Sequence, residues 1–339
     1  MGHGTWGMAC RAEAVGGSGK PHHGEGGGFG LRALTRTAAA LLALLCLTDG
    51  ARGLPFDSAQ GGQPRGHQAA QPPGPPARIV SLVPSATEML FAMGAGSRVA
   101  GVSSFDRFPP DVQRLPKVGA LVDPDVERIL SLRPDLVIAY ASQRDFLAQL
   151  ERAHIPVYVY RHGSLPDITA VLRDLGTRIG MPAEAARAAA GIDRGLSEVR
   201  ASVAGRARPG TLLVIGREPQ SLRAISVSGG YGFLHDLLDL AGGSNVFADV
   251  KRESMMVTTE TILARKPDAI IELHYSDRAS PSEEALERNA WALLPGVPAV
   301  RNGRVHLLYG GELVVPGPRV VQTARAFARV LHGDAYRRP

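Results

Sequence analysis

From Arg78 onward, short β-branched runs alternate with longer amphipathic stretches. "RIVSLV" (78–83), "VAGVSS" (99–104), "LVIAY" (136–140) and "VYVYR" (157–161) each precede a turn and a polar or amphipathic segment. Repetition of strand then helix predicts a parallel α/β layer. After residue 210, "TLLVIG", "AIIEL" and "VHLLY" repeat the arrangement, so the pattern predicts two Rossmann-like lobes with parallel sheets, at 78–165 and 207–333. The first crossover helix is expected to start on a capping box of Ser85 and Glu88, to carry Met89, Leu90 and Met93 inward, and to stop at Gly94. In the second lobe "YGFLHDLLDLAGG" ends on glycines in the same way.

Between the two sets, residues 166–206 read as a helical linker. In "PAEAARAAAGIDRGLSEVRASVAG", Ile192, Leu196, Val199 and Val203 fall on one helical face. A single helix over 183–204 would extend about 33 Å at 1.5 Å per residue, roughly the width of a small domain. Gly191 and Gly195 each cost such a helix about 1 kcal/mol, so packing has to hold it. The expectation is two lobes on one rigid rod, with a ligand cleft between them.

One phrase occurs twice. "VERILSLRPDLVI" (126–138) returns 133 positions later as "TETILARKPDAII" (259–271), with six identities. Each copy reads as a short helix that carries a glutamate in its first turn, packs Ile129 with Leu130 or Ile262 with Leu263 on the sheet, ends at Pro134 or Pro267, and leads into a buried strand.

Composition narrows the setting. At 339 residues and 44% hydrophobic content the chain is long enough for two buried cores. Arg32 and Arg36 lead into the apolar run "AAALLALLCL" and then the small residues of "ARG" (51–53), which reads as an export leader over 31–53 and predicts a periplasmic protein. That run is about half the ~20 residues of a membrane span. Residues 1–30 form a Gly-rich extension with His22 and His23, consistent with a start codon assigned too early; 54–77 read as a disordered Pro/Gly/Gln-rich tether, and 334–339 as a tail. The cysteines, Cys10 and Cys46, both precede the cleavage point; acylation of Cys46 is disfavoured by the bulky Leu45 before it. Cleavage leaves 33 Lys/Arg against 29 Asp/Glu, an ordinary surface without the basic runs of a nucleic-acid binder.

"RIVSLVPSATEMLFAMGAGSRVAGVSSFDRFPP" followed by "VERILSLRPDLVIAY" resembles the helical-backbone periplasmic binding proteins of ABC importers for vitamin B12, ferric siderophores and haem, with the likeness running from Arg78 to about His332. The resemblance implies a non-catalytic carrier, expected as a monomer, that delivers a metal-chelate small molecule to a permease with its ATPase. It also implies that Glu127 and Glu260 are the two carboxylates, one per lobe, that dock on the permease. Corrinoid is favoured over ferric siderophore, with haem third, and no cofactor is expected. The alternative is an exported α/β enzyme or a signalling receptor domain that has kept the fold.

In open parallel α/β sheets ligands bind beyond the carboxyl ends of the strands. First-lobe loops then supply Ser85, Phe105, Arg107, Tyr140, Arg161 and His162. Second-lobe loops supply Arg217, Tyr231, Met255, Met256, His274, Tyr275 and Tyr309. Phe105 and Tyr140 match aromatic positions of the B12 binders that the chain resembles, whereas Leu121 stands where a tryptophan is expected and Ser254 near another expected aromatic. No direct metal site is expected, though His162 or His274 stands where it could ligate a chelated ion axially. Arg107, Arg161, Arg217 and Arg252 are candidate clamps for acidic groups of a chelate. HExxH, GxSxG and Walker spacings are absent, and "GGYG" (229–232) lacks the GK[ST] of a phosphate loop.

Overall fold

The computed structural model describes residues 74–161, 163–276 and 279–333. The expected leader, the tether up to residue 73, Cys10, Cys46, His22 and His23, His162 and the 334–339 tail lie outside them.

The first lobe runs β1 (Ile79–Ser81), α1 (Pro84–Ala92), β2 (Val99–Val102), α2 (Val126–Ser131), β3 (Leu136–Tyr140), α3 (Arg144–Arg152) and β4 (Val157–Tyr160). Its strands pair in the order β2-β1-β3-β4, each neighbour parallel. Successive residues of β3 serve opposite faces, as the strand period of two requires. Leu136 and Ile138 enter the core under the central helices, while Val137 and Ala139 enter a second core with Ile129, Phe146 and Leu150.

Two helices then lead to the second lobe: α4 (Leu165–Arg178), opened by a capping box of Ser164 and Asp167, and the 22-residue α5 (Pro182–Val203). The stripe foreseen in the sequence is the buried one, with Ala185 and Ala189 extending Ile192, Leu196, Val199 and Val203. Gly195 earns its place by packing: a Cβ there would stand 2.8 Å from Val321 Cγ1.

The second lobe runs β5 (Gly210–Gly216), β6 (Ile225–Ser228), α6 (Phe233–Leu240), β7 (Ser244–Asn245), β8 (Ser254–Val257), α7 (Thr259–Arg265), β9 (Ala269–His274), α8 (Pro281–Ala290), α9 (Pro298–Arg301), β10 (Val305–Tyr309) and α10 (Val320–His332). The sheet order is β10-β9-β5-β6-β8, with β7 also on β5. This sheet is mixed rather than wholly parallel, because β6 runs antiparallel to both β5 and β8. The connection from β5 to β6 is a tight return in which Glu218 N–H donates to Arg223 C=O at 3.0 Å, and a return that short admits only antiparallel pairing. Leu213, Ile215, Leu238 and Leu331 share one continuous core with Ile79, Leu136 and Val199. Moving one lobe against the other therefore disturbs packed side chains at the rod.

Two local expectations are corrected. Helix α1 starts at Pro84 with Val83 as its cap; Ser85 lies inside the first turn, and Glu88 does not reach back to cap it. Its carboxylate instead takes a two-toothed, charge-assisted pair with Arg319, Nη2 to Oε1 at 2.6 Å and Nε to Oε2 at 2.9 Å, which outweighs a single capping bond. In the doubled phrase Ile129 and Ile262 are buried as expected, but Leu130 and Leu263 are exposed, because on these short helices the position after the buried isoleucine turns away from the sheet.

Candidate functional site

The lobes face each other across a cleft with about 1200 Å³ of empty space, counted out to its open mouth. Its first-lobe wall is built where strands end and loops begin. Leu82, Pro84 and Ser85 follow β1, Ser103 and Phe105 follow β2, and Tyr140 and Tyr160 close β3 and β4, with Leu121 beside them. The second-lobe wall comes from Ile215, the 231–234 segment at the start of α6, Glu253, Ser254, Tyr275 and the 314–316 segment.

Five sequence-predicted residues meet in this cleft: Ser85, Phe105, Tyr140, Tyr231 and Tyr275. Tyr140 packs edge-on against Tyr160, ring centroids 5.6 Å apart and planes at 90°. Burial pushes the Tyr160 phenol up to about 12 and drives that of Tyr140 upward too, so both rings stay neutral. The Tyr275 hydroxyl donates to Phe105 C=O at 3.1 Å and so ties one lobe to the other at the cleft wall. Arg107 is exposed and lies over the Tyr275 ring, 5.3 Å from its centroid, at the edge of the cleft rather than within it.

The other candidates are placed elsewhere. Arg217 is a structural cation of the second lobe: its Nε lies 3.1 Å from the buried Glu272 and its Nη2 2.8 Å from the half-buried Glu287. Burial raises the Glu272 carboxyl, but the His274 hydrogen bond, the Arg217 charge and the Trp291 indole together hold it below the usual carboxylate range. His274 has its Nε2 3.1 Å from the same carboxylate and its ring stacked on Tyr309 at 4.6 Å, so it is committed within the lobe and does not line the cleft. Tyr309 packs on the outer core of the second sheet, as does Met255. Met256 alternates to the other side of β8 and stands in solvent. Arg161 and Arg252 are exposed and outside the lining, and His162 lies outside the described residues.

Sequence reasoning missed Tyr160, Glu253 and the Val314–Pro316 stretch as lining, whereas Leu121 and Ser254, singled out as departures from expected aromatic positions, do line it. Tyr160 was hidden because "VYVY" reads as a strand at every position; only its place as the last strand residue distinguished it. The 314–316 stretch follows a short turn after β10, and it is held by Arg319, which pairs Glu312 at 2.9 Å as well as Glu88 across the lobes. The "GGYG" stretch is a close backbone approach: a Cβ on Gly230 would fall 2.1 Å from Ala248 C=O. Gly232 then opens α6 at φ 87°, a conformation that favours glycine. Among the described residues there is no cluster of three His, Cys, Asp or Glu side chains able to hold a metal ion, and no helix is long and apolar enough to cross a membrane.

The glutamates of the doubled phrase occupy equivalent places. Glu127 and Glu260 are each the second residue of their helix, α2 or α7, and both are exposed. Asp125 caps the first helix through Arg128 N–H at 2.9 Å, and Thr258 caps the second through Thr261 N–H at 3.4 Å.

Comparison with known proteins agrees with this architecture. The chain is 32% identical over 228 residues to a vitamin B12-binding protein of Pectobacterium carotovorum, covering 66% of this chain and 79% of that one. Among solved structures, the periplasmic vitamin B12 binding protein of Vibrio cholerae superposes with a TM-score of 0.65 at 26% identity, covering 76% of this chain and 98% of that one. A periplasmic haem-binding protein of Roseiflexus gives 0.65 at 27% identity, covering 77% and 99%. These relatives are binding proteins, not enzymes, and they fit the carrier expectation rather than its catalytic alternative. The sequence profile of the periplasmic binding protein family matches residues 79–309, which takes in both lobes and the helix between them. A match that takes in the sheets of both lobes covers most of the described residues, and the chain belongs to the periplasmic binding protein family.

Proposed function

We propose that this protein is the periplasmic substrate-binding component of an ABC importer for a metal-chelate nutrient, that the chelate is a corrinoid, and that Glu127 and Glu260 dock it on the permease. One observation carries the choice of ligand. Among the described residues lining the cleft, Glu253 is the one charged side chain, and the rest are aromatic, aliphatic or hydroxyl-bearing. A ferric siderophore or haem brings anionic groups that would look for arginine or lysine, and the candidate arginines lie outside the lining. A corrinoid brings a broad apolar face for Tyr140, Phe105 and Tyr275 and a fringe of neutral amides for the hydroxyls of Ser85, Ser103 and Ser254. The B12-binding relatives support the same choice.

The test is calorimetric titration of the purified protein with cyanocobalamin, with a ferric siderophore and haemin in parallel. The expected result is one-to-one corrinoid binding at submicromolar Kd, beyond about −8 kcal/mol. Binding of siderophore or haemin with corrinoid silent would overturn the ligand and keep the carrier; silence with all three would overturn both. Docking has its own readout. Glu127→Ala with Glu260→Ala should leave ligand affinity unchanged and abolish stimulation of the permease-bound ATPase, since paired surface charges act on a partner rather than on the cleft. Unchanged stimulation would remove the glutamates from that role.

A further inference from the structure

The second lobe has a cavity at the end of its sheet away from the cleft. Gly210 opens β5, Asp268 precedes β9 and Arg304 precedes β10. These strand starts, with the segment after α5 and the end of α10, bound about 1080 Å³ of empty space, counted out to its open mouth. The lining is basic, with Arg206, Arg208, Arg304 and His332 set against one carboxylate, Asp268.

Helix ends account for part of this. The last carbonyls of a helix lack partners within it, and a basic side chain nearby satisfies them. Arg206 Nε donates to Ser202 C=O at 3.0 Å and Arg304 Nη2 to Leu331 C=O at 2.9 Å, while His332 Nε2 lies 3.0 Å from Ala241 C=O. Gly242 makes room for that ring: its φ is 82°, and a Cβ there would fall 2.6 Å from His332 Nε2. Arg208 is committed further, through Nη2 to Gly243 C=O at 2.7 Å and an ion pair with Asp239. Asp268 is turned to the backbone, where its Oδ2 accepts from Gly210 N–H at 2.9 Å.

Capping uses one edge of a guanidinium and leaves the other. Both Nη groups of Arg206, and the Nε and Nη1 of Arg304, meet no acceptor among the described residues. A guanidinium is a rigid fork of donors that matches the oxygens of phosphate or carboxylate in pairs. His332 registers the field these cations make: burial lowers its imidazole below the ordinary 6.5, the Ala241 carbonyl opposes that, and the charges of Arg206, Arg304 and Arg208 lower it further. Three cations from separate segments of the chain therefore bear on one ring.

We infer that this cavity is a second binding site, on the face opposite the cleft, for a phosphate-type anion held by Arg206 and Arg304 with Arg208 and His332 beside it. A phosphate group offers oxygens to two forks at once, whereas a single carboxylate is filled by one. The same chemistry belongs to a free phosphate and to the phosphate of a lipid headgroup. The site stands apart from the proposed cleft ligand, because no residue lines both cavities.

The experiment follows the His332 imidazole of the purified protein by NMR, its resonance identified by its loss in H332Q. Inorganic phosphate is added at constant ionic strength, with acetate and chloride in parallel. Phosphate is expected to shift the resonance saturably and to raise the midpoint of its titration by about 0.5 or more, since a bound anion offsets the arginine charges. R206Q/R304Q is expected to weaken phosphate binding by about tenfold or more, with R206K/R304K intermediate. Melting temperature is measured for each variant, and should R206Q/R304Q fold poorly, R206Q alone takes its place. Sedimentation with phosphatidylglycerol vesicles, against phosphatidylcholine, separates the sources: pelleting that R206Q/R304Q abolishes assigns the phosphate to a lipid headgroup, and binding of inorganic phosphate without pelleting assigns it to a free solute. A shift that chloride reproduces is screening alone and overturns the inference, as does acetate that binds as tightly as phosphate. Binding of either kind that the arginine variants leave unchanged, or silence in both arms, overturns it too. Cyanocobalamin titration reads the cleft separately, so failure at this site leaves the carrier reading where it stands.

Discussion

Replacing Asp106 with asparagine is expected to reshape how stability depends on pH. Asp106 is 2% exposed, between Phe105 on the cleft wall and Arg107 at its edge. Neither of its carboxylate oxygens makes a hydrogen bond of ordinary geometry with another described residue. Burial pushes the carboxyl from its ordinary 3.8 up to about 7, against the pull of the nearby Thr87 hydroxyl, the Lys117 charge and the Ser103 backbone, and with a further push from Glu88. Tyr140 and Tyr275 also face it and remain neutral throughout this range, because burial raises both. The folded state thus holds a proton that the unfolded chain releases between pH 4 and 7. Its contribution to stability is whole below about pH 4, falls as pH rises, and is gone above about pH 7. Three pH units at 1.36 kcal/mol each give a loss of about 4 kcal/mol, an upper bound if the loop relaxes. Asparagine keeps the shape and never ionises. Guanidinium unfolding of both proteins from pH 4 to pH 8 should give nearly equal stability at the acid end, with the variant ahead by up to about 4 kcal/mol at the alkaline end. A constant offset across that range would refute the reasoning, since it would mean that Asp106 carries the same charge folded and unfolded.

Tyr140→Ala should weaken ligand binding by about 1 to 3 kcal/mol, taking base-on-aromatic stacking as the nearest measured analogue; calorimetry that finds an unaltered Kd would remove the ring from the site. Arg319→Met should destabilise the protein by about 3 to 5 kcal/mol, because it strands the buried Glu88 carboxylate without its cation, and adding Glu88→Gln should restore part of the loss. Unfolding curves that superpose on wild type would show that this pair does not hold the lobes.

The parts legible in the sequence were the periodic ones. The face of α5 could be read from Ile192, Leu196, Val199 and Val203 because helix geometry repeats within a few residues. The strands leading to Phe105, Tyr140 and Tyr275 could be read because buried strands are short apolar runs, and those runs lead to the loops of the cleft. What stayed hidden depended on partners far along the chain. Glu88 looks like a capping residue until Arg319, 231 positions away, is brought to it. Leu130 looks like a sheet-packing residue because it adjoins Ile129, and periodicity over a six-residue helix is too short to separate them.

The arginines show what this costs a functional reading. At a strand end, a cation appears equally able to meet a ligand or a neighbouring acid, and the sequence does not say whether the acid is within reach. Folding decides it. Arg217 finds Glu272 and Glu287 inside the second lobe, and Arg319 finds Glu88 and Glu312 between the lobes, while Arg161 and Arg252 remain outside the lining. A cation that has committed its donors to two carboxylates cannot turn to an anionic chelate without leaving a buried acid, Glu272 or Glu88, unpaired in the interior, a loss that one ligand contact does not recover. Among the described residues the cleft lining is therefore left to aromatic rings, aliphatic side chains and hydroxyls, with Glu253 as its one charge.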